Sequence, residues 1–202
     1  MAARTMTAVR KTTAALFPNA APFAIRAERA SDVAARETLL DASFGEDRHT
    51  RTCQRLRDGR APAEGLAYTA MRRGKLVGTV RLWHVSAGGI PALVLGPLAV
   101  DASCRSLGVG AALMNHALAA AKVRGHNAVI LRGDPAYYER FGFSAAKTGE
   151  LALPGPFEAE RLLAVELRDG ALNGAHGMIA ATGAKARRPR TVKTRATTAV
   201  AA

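Results

Sequence analysis

Cysteine is almost missing from this chain. Its 202 residues include two, Cys53 and Cys104, too few for the disulfide framework of a small secreted scaffold. Long apolar runs are missing as well. None approaches the ~20 residues of a membrane-spanning helix, so no membrane insertion is expected. The histidines (His49, His84, His116, His126, His176) show no His-Glu-x-x-His spacing, and no Cys-x-x-Cys occurs. No metal site is therefore expected. Acids are absent from both ends: no Asp or Glu lies in residues 1–20 or after Asp169.

That last absence explains most of the charge. The chain holds 29 Lys and Arg against 16 Asp and Glu, a net +13. Arg4, Arg10 and Lys11 account for three of those charges. Lys185, Arg187, Arg188, Arg190, Lys193 and Arg195 account for six more, which leaves +4 for residues 21–183. The charge excess belongs to the tails and says little about fold or chemistry. Residues 1–21 are expected to be a flexible extension. Ala14 to Phe17 is too short for the apolar core of a secretory signal, while the composition is compatible with an organelle transit peptide. A cytoplasmic protein is the expectation. Residues 184–202 have almost no large apolar residue and are expected to be disordered. Their charge could bring RNA, DNA or an anionic membrane close, though no aromatic is interleaved for base stacking. A solvated solubility tail is the blander reading.

What lies between, residues 22–183, reads as one α+β (α/β) domain. Phe23 to Arg26 alternates like a short strand. Ser31 offers an N-cap for a helix over 32–44, with Asp32 favoured by its dipole and Gly45 as its stop. Arg51 to Asp58 reads as a shorter helix. Leu66–Met71, Leu76–His84 and Ala92–Val100 read as strands joined by turns, an antiparallel meander. Gly108 to Arg124 carries a wide apolar stripe and reads as a helix. Ala128–Leu131 is a buried strand, and strand–helix–strand implies a parallel crossover. A short helix over Ala136–Phe141 and a late strand over Leu162–Leu167 follow.

One segment carries chemistry. After Leu98-Ala99-Val100, a loop leads through Arg105-Ser106-Leu107-Gly108-Val109-Gly110-Ala111 into the long helix. Free N–H groups at a helix start attract anions such as phosphate, and glycine lets the backbone approach them. Arg105 adds a full charge. The Gly-Lys-Ser/Thr of a Walker loop is absent, and Leu113 stands where a dinucleotide fingerprint would need its third glycine. Taken alone, the spacing fits a ligand-free tight turn as well as a phosphate site.

Arg105-x-x-Gly108-x-Gly110-Ala111 resembles the acyl-CoA pyrophosphate loop of the GNAT N-acetyltransferase superfamily. Leu98-x-Val100 before it resembles the end of that family's fourth strand. Gly133-Asp134-Pro135-Ala136-Tyr137-Tyr138, followed by Phe141-Gly142-Phe143, resembles a segment of small bacterial predicted N-acetyltransferases. The resemblance spans about residues 22–168 in element order and is most specific over 93–143. It implies a mixed central sheet of about six to seven strands flanked by about four helices. It implies acetyl-CoA as co-substrate and a small-molecule or protein amine as acceptor, in a monomer or homodimer. The backbone of Leu98, Ala99 and Val100 would bind pantetheine, and residues 105–111 the pyrophosphate. Tyr138 matches the family's general acid, whereas Tyr137 is expected to pack.

The reaction implied is direct attack of an amine on the thioester through a tetrahedral intermediate. The family's strand glutamate has no counterpart in Ala92–Val100. His84, Glu64 and Asp101, or ordered water leading to bulk, are the candidate bases, and none is preferred. A Cys104 acyl intermediate is a minor route. A binding-only acyl-CoA sensor and a nucleic-acid-associated protein are the competing readings. Arg48, Arg51, Arg55, Arg57 and Arg60 make one edge basic, which suggests acceptors bearing a carboxylate or phosphate.

Overall fold

The computed structural model describes residues 22–186. The expectations for residues 1–21 and 187–202, including the flexible extension and the nucleic-acid contact of the tail, lie outside the described residues. Residues 184–186, expected to belong to a disordered tail, are instead paired with the domain. Ala61 donates its N–H to Ala184 O at 2.8 Å, Ala186 donates to Gly59 O at 2.9 Å, and Arg60 bridges Lys185 antiparallel. Backbone pairing needs no large side chain, so composition alone could not reveal it.

The described residues open with β1 (Ala24–Ala27) and α1 (Val33–Phe44). Ser31 does not cap α1. A single 3₁₀ turn, Ala30–Asp32, precedes it, and the Asp32 carboxylate accepts from Arg29 N–H at 2.7 Å and from Arg26 at 2.6 and 2.8 Å. Two further 3₁₀ turns, Glu46–Thr50 and Thr52–Leu56, flank an extended Arg51. The second replaces the expected helix over 51–58. Its side chains serve distant partners: Thr52 Oγ1 donates to Pro156 O at 2.6 Å and Arg55 Nη1 to Pro154 O at 2.7 Å. Those contacts, about a hundred residues away in sequence, override the local helical spacing.

The meander forms as expected from β2 (Ala67–Arg72), β3 (Lys75–Ala87) and β4 (Ile90–Leu95). The run expected as one strand over Ala92–Val100 is broken. Gly96 (φ +135°) and Pro97 interrupt it, and β5 is only Ala99–Val100. Proline has no N–H for a ladder, so a break there is physically expected. Next come α2 (Val109–Val123), β6 (Ala128–Arg132) and α3 (Pro135–Tyr138). The last strands among the described residues are β7 (Leu151–Ala152), β8 (Leu162–Glu166) and β9 (Gly177–Ala181). The main path of the sheet is β1-β2-β3-β4-β6-β8, with β5 and β9 also on β3 and β7 on β9. The pairs are antiparallel except β4–β6 and β7–β9. The expectation of six to seven strands is exceeded because β4/β5 is split and the short β7 and β9 pair. Among the described residues three segments are α-helical, and the fourth expected helix is the 3₁₀ turn at Thr52–Leu56.

The apolar stripe of α2 is the main seal of the sheet. Val109, Leu113, Met114, Ala117 and Ala121 are fully buried and pack with Val80, Leu93, Val129 and Leu131. A second apolar cluster, including Trp83, Val94, Ile130, Leu162 and Ile179, covers the other face. Each fully buried leucine or isoleucine contributes about 1.5–3 kcal/mol relative to exposure. Among the described residues no helix is long and apolar enough to cross a membrane.

Candidate active site

The parallel ladder between β4 and β6 is only two residues long: Leu93 opposite Val129 and Val94 opposite Ile130. Beyond it the strands diverge. β6 continues along β8 through Arg132, while β4 turns at Gly96. The Gly96 N–H donates to Arg81 O at 2.8 Å, and its carbonyl accepts from Trp83 Nε1 at 2.7 Å. The break is thus anchored to β3. A cavity of about 160 Å³ opens in the fork. Its floor is Val94 to Leu98 with Leu131, and its outer wall is the segment from Phe44 to Arg57.

Tyr138 borders that cavity. Local sequence explains how it gets there. Asp134 caps α3 through Ala136 N–H at 3.2 Å, and Pro135 occupies the first helical position, where its missing N–H costs nothing. The ring of Tyr138 then folds over Gly133, and a Cβ there would stand 2.6 Å from Tyr138 Cδ2. Tyr137 meets Tyr138 edge-on at 4.9 Å. Burial pushes the Tyr138 phenol up to about 12, with Tyr137 and Asp134 adding to the shift. The phenol therefore stays protonated through neutral and moderately alkaline pH. No protein partner of its hydroxyl is found among the described residues.

On the other side of the fork, β5 hands the chain to the glycine loop. Ala99 and Val100 pair with Thr79 and Gly78 of β3, and Leu98 borders the cavity. Asp101 folds the loop by accepting Ser103 N–H at 2.9 Å and Ser103 Oγ at 2.6 Å. Residues Ala102–Leu107 form a 3₁₀ turn that leaves Arg105 and Ser106 exposed. Gly108 has the left-handed conformation (φ +74°) that starts α2. The first α2 bond from that cap is Ala112 N–H to Gly108 O at 3.0 Å. The N–H groups of Gly110 and Ala111 lie ahead of it, free of intrahelical partners and only partly buried, while Val109 is fully buried. The Tyr137 hydroxyl reaches the same corner. A Cβ on Gly110 would lie 2.9 Å from it.

None of the three candidate bases borders the cavity. His84 sits against His126, ring centroids 5.3 Å apart. Glu64 is exposed in its loop. Asp101 is engaged by Ser103, which holds its carboxyl below the usual range. Cys104 is 1% exposed and packed in the core. Cys53, which sequence reasoning did not single out, does border the cavity. Burial pushes its thiol up, so it remains a neutral thiol and a poor nucleophile at neutral pH.

The arginines separate into two groups. Arg48, Arg51, Arg57 and Arg132 border the cavity. Arg55 and Arg60 turn away, to Pro154 O and Gly183 O.

Comparison with known proteins identifies the family of this fold. Residues 63–145 match the family model described as the acetyltransferase (GNAT) domain. The uncharacterized N-acetyltransferase YhbS of Escherichia coli K12 is 32% identical over 157 residues, covering 77% of this chain and 93% of YhbS. The chain belongs to the GNAT family. The crystal structure of YhbS from Escherichia coli in complex with CoA superposes with a TM-score of 0.69 at 31% identity, covering 81% of this chain and 91% of that one. A GNAT family acetyltransferase from Brucella melitensis in complex with acetyl-CoA gives 0.54 at 26% identity, covering 72% and 97%. The GNAT match spans the fork, the glycine loop and Tyr138. The arginine-bearing wall at residues 48–57 lies outside the span of the family model.

Proposed function

We propose that this GNAT protein transfers an acetyl group from acetyl-CoA to a primary amine by direct attack. The observation that carries the reading is the fork between β4 and β6. It opens beside the free N–H groups of α2 and ends at a protonated tyrosine. Pantetheine fits the fork with its amides on the backbone around Leu98–Val100. The pyrophosphate fits the start of α2, with Arg105 adjacent.

The chemistry then follows. The amine lone pair attacks the thioester carbonyl carbon, and its oxygen takes up negative charge. Collapse of that intermediate breaks the C–S bond. The phenol of Tyr138 supplies a proton to the departing thiolate, and the new ammonium loses a proton to water. General-acid catalysis of this kind contributes about 10²–10⁴-fold. No carboxylate or imidazole borders the cavity, so the neutral amine is drawn from solution.

Two results are expected. Tyr138→Phe lowers kcat by about 10²-fold or more, while acetyl-CoA affinity by calorimetry is unchanged. In the wild type, kcat/KM rises about tenfold per pH unit up to the amine's own pKa. No alkaline decline from Tyr138 appears below about pH 11, given its value of about 12. The lack of a base in the cavity also favours a second reading, a protein that binds acyl-CoA without turning it over. CoA thiol release with an amine panel separates the two. Tight acetyl-CoA binding with no release for any amine sinks the enzyme reading.

A further inference from the structure

Four arginines border the cavity, and their partners differ. Arg48 is paired with Glu37 and Asp41, and Arg132 with Glu158. Arg51, at the exposed rim, donates to Phe44 O and lies 5.4 Å from the centre of the Phe44 ring. Arg57 is different. It is half-buried, and the one hydrogen bond of its guanidinium among the described residues is Nε to Cys53 O at 3.2 Å. No carboxylate lies within ion-pair distance of it among the described residues. The remaining residues, 1–21 and 187–202, contain no Asp or Glu. Its Nη1 faces the strand break, 3.7 Å from where a Cβ on Gly96 would stand.

A cation removed from water without a counter-charge is costly. Burial already pushes the Arg57 guanidinium below its ordinary value. The terminal nitrogens of a guanidinium form a planar fork suited to two oxygens of one anion. The cavity offers no such oxygens from the protein. Its net charge is positive, which favours entry of an anion.

We propose that Arg57 anchors an oxyanion subsite, and that the acceptor is a small amine that also carries a carboxylate or a phosphate. Resting on the transferase reading, this names the substrate class of the same site. It also sharpens the basic edge to one residue: Arg55 and Arg60 are bound elsewhere, and Arg48 and Arg132 are already neutralised. Arg51 at the rim is placed to guide the anion inward.

The test uses matched amines: β-alanine with propylamine, and O-phosphoethanolamine with ethanolamine. The first readout is kcat/KM from CoA release. The wild type is expected to favour the anionic member of at least one pair by about ten- to a hundredfold, as a hydrogen-bonded charge allows. The pair that shows the preference tells carboxylate from phosphate. Arg57→Leu brings the ratio to about one, Arg57→Lys restores part of it, and the acetyl-CoA Kd is unchanged in both. The second readout needs no turnover. Cys53 shares the cavity, so its alkylation by iodoacetamide at alkaline pH, where the thiolate is populated, reports occupancy by mass spectrometry. An anionic amine protects Cys53 in the wild type and not in Arg57→Leu, and its neutral partner protects in neither.

Equal protection by both members of each pair, or by none, overturns the subsite. So does a loss in Arg57→Leu that is the same for anionic and neutral amines, which would make Arg57 a stabiliser of the tetrahedral oxyanion. Failure of acetyl-CoA to bind removes the transferase reading while the Cys53 protection result still decides the subsite.

Discussion

Gly133 and Tyr138 show how much a single hydrogen atom can matter at the residue scale. The Tyr138 ring lies where a Cβ on residue 133 would be, against Cδ2 at 2.6 Å and Cε2 closer still. The obstacle is a rigid ring, packed edge-on against Phe143 at 6.0 Å, so it cannot simply swing away. Gly133→Ala is expected to displace the phenol by a substantial fraction of an ångström. Displacements of that order cost about 10²-fold in rate. A steady-state assay should show kcat falling with acetyl-CoA affinity retained, as for Tyr138→Phe. An unchanged kcat would show that the hydroxyl's position is not critical. Tyr138 and the glycine loop could be singled out in the sequence through the family resemblance, because the residues that carry it are close together in the chain. Cys53 could not, because a lone cysteine has no spacing. The wall it shares with Arg57 is assembled by contacts to Pro154 and Pro156, which no local pattern announces.

At the scale of elements, α2 and its seat on the sheet dominate. Gly78 of β3 lies directly beneath it, and a Cβ there would stand 2.8 Å from Val109 Cγ1 and 2.9 Å from Leu113 Cδ1. The helix is therefore held close to the strand by a missing side chain, and its N-terminus is positioned by that contact. Leu113 is wholly buried at this seat. Leu113→Ala is expected to cost about 2–5 kcal/mol, read from the urea midpoint. Unchanged stability would mean that α2 relaxes onto the sheet and fills the gap. The stripe of α2 and the meander were legible because each rests on a repeating apolar period. The break between β4 and β5 was half legible. Pro97 was visible as a residue that gives no ladder bond, but the Arg81 and Trp83 partners that fasten Gly96 come from another strand. The 3₁₀ turn at Thr52–Leu56 and the short β7 and β9 were missed for the same reason, since tertiary pairing rather than periodicity creates them.

For the whole molecule, charge placement sets the behaviour in acid. Asp32, largely buried, is held to about 2 by its hydrogen bonds with Arg26, with Arg29 N–H assisting. Glu28, pushed up by burial, joins Arg36 of α1 to Arg81 of β3. Together these pairs tie β1 and α1 to the sheet. Because the folded Asp32 value lies below its ordinary 3.8, its stabilising contribution is complete above that pH and fades as pH falls toward about 2. Asp32→Asn is expected to melt at a lower temperature than the wild type at pH 7, with the gap closing between about pH 4 and pH 2. A gap that is constant with pH would assign the loss to packing rather than charge.

The thirteen residues of β3 run beneath both halves of the sheet. One half holds β2 and β5, the other β4 and β9, and the Gly96 break is fastened to Arg81 and Trp83 at its middle. One arm of the fork, β4, is thus a branch of one unbroken beam, while the other, β6, meets that arm only through the two-residue ladder. The width of the fork is therefore governed on one side by β3 and on the other by β8, which pairs with all five residues of β6.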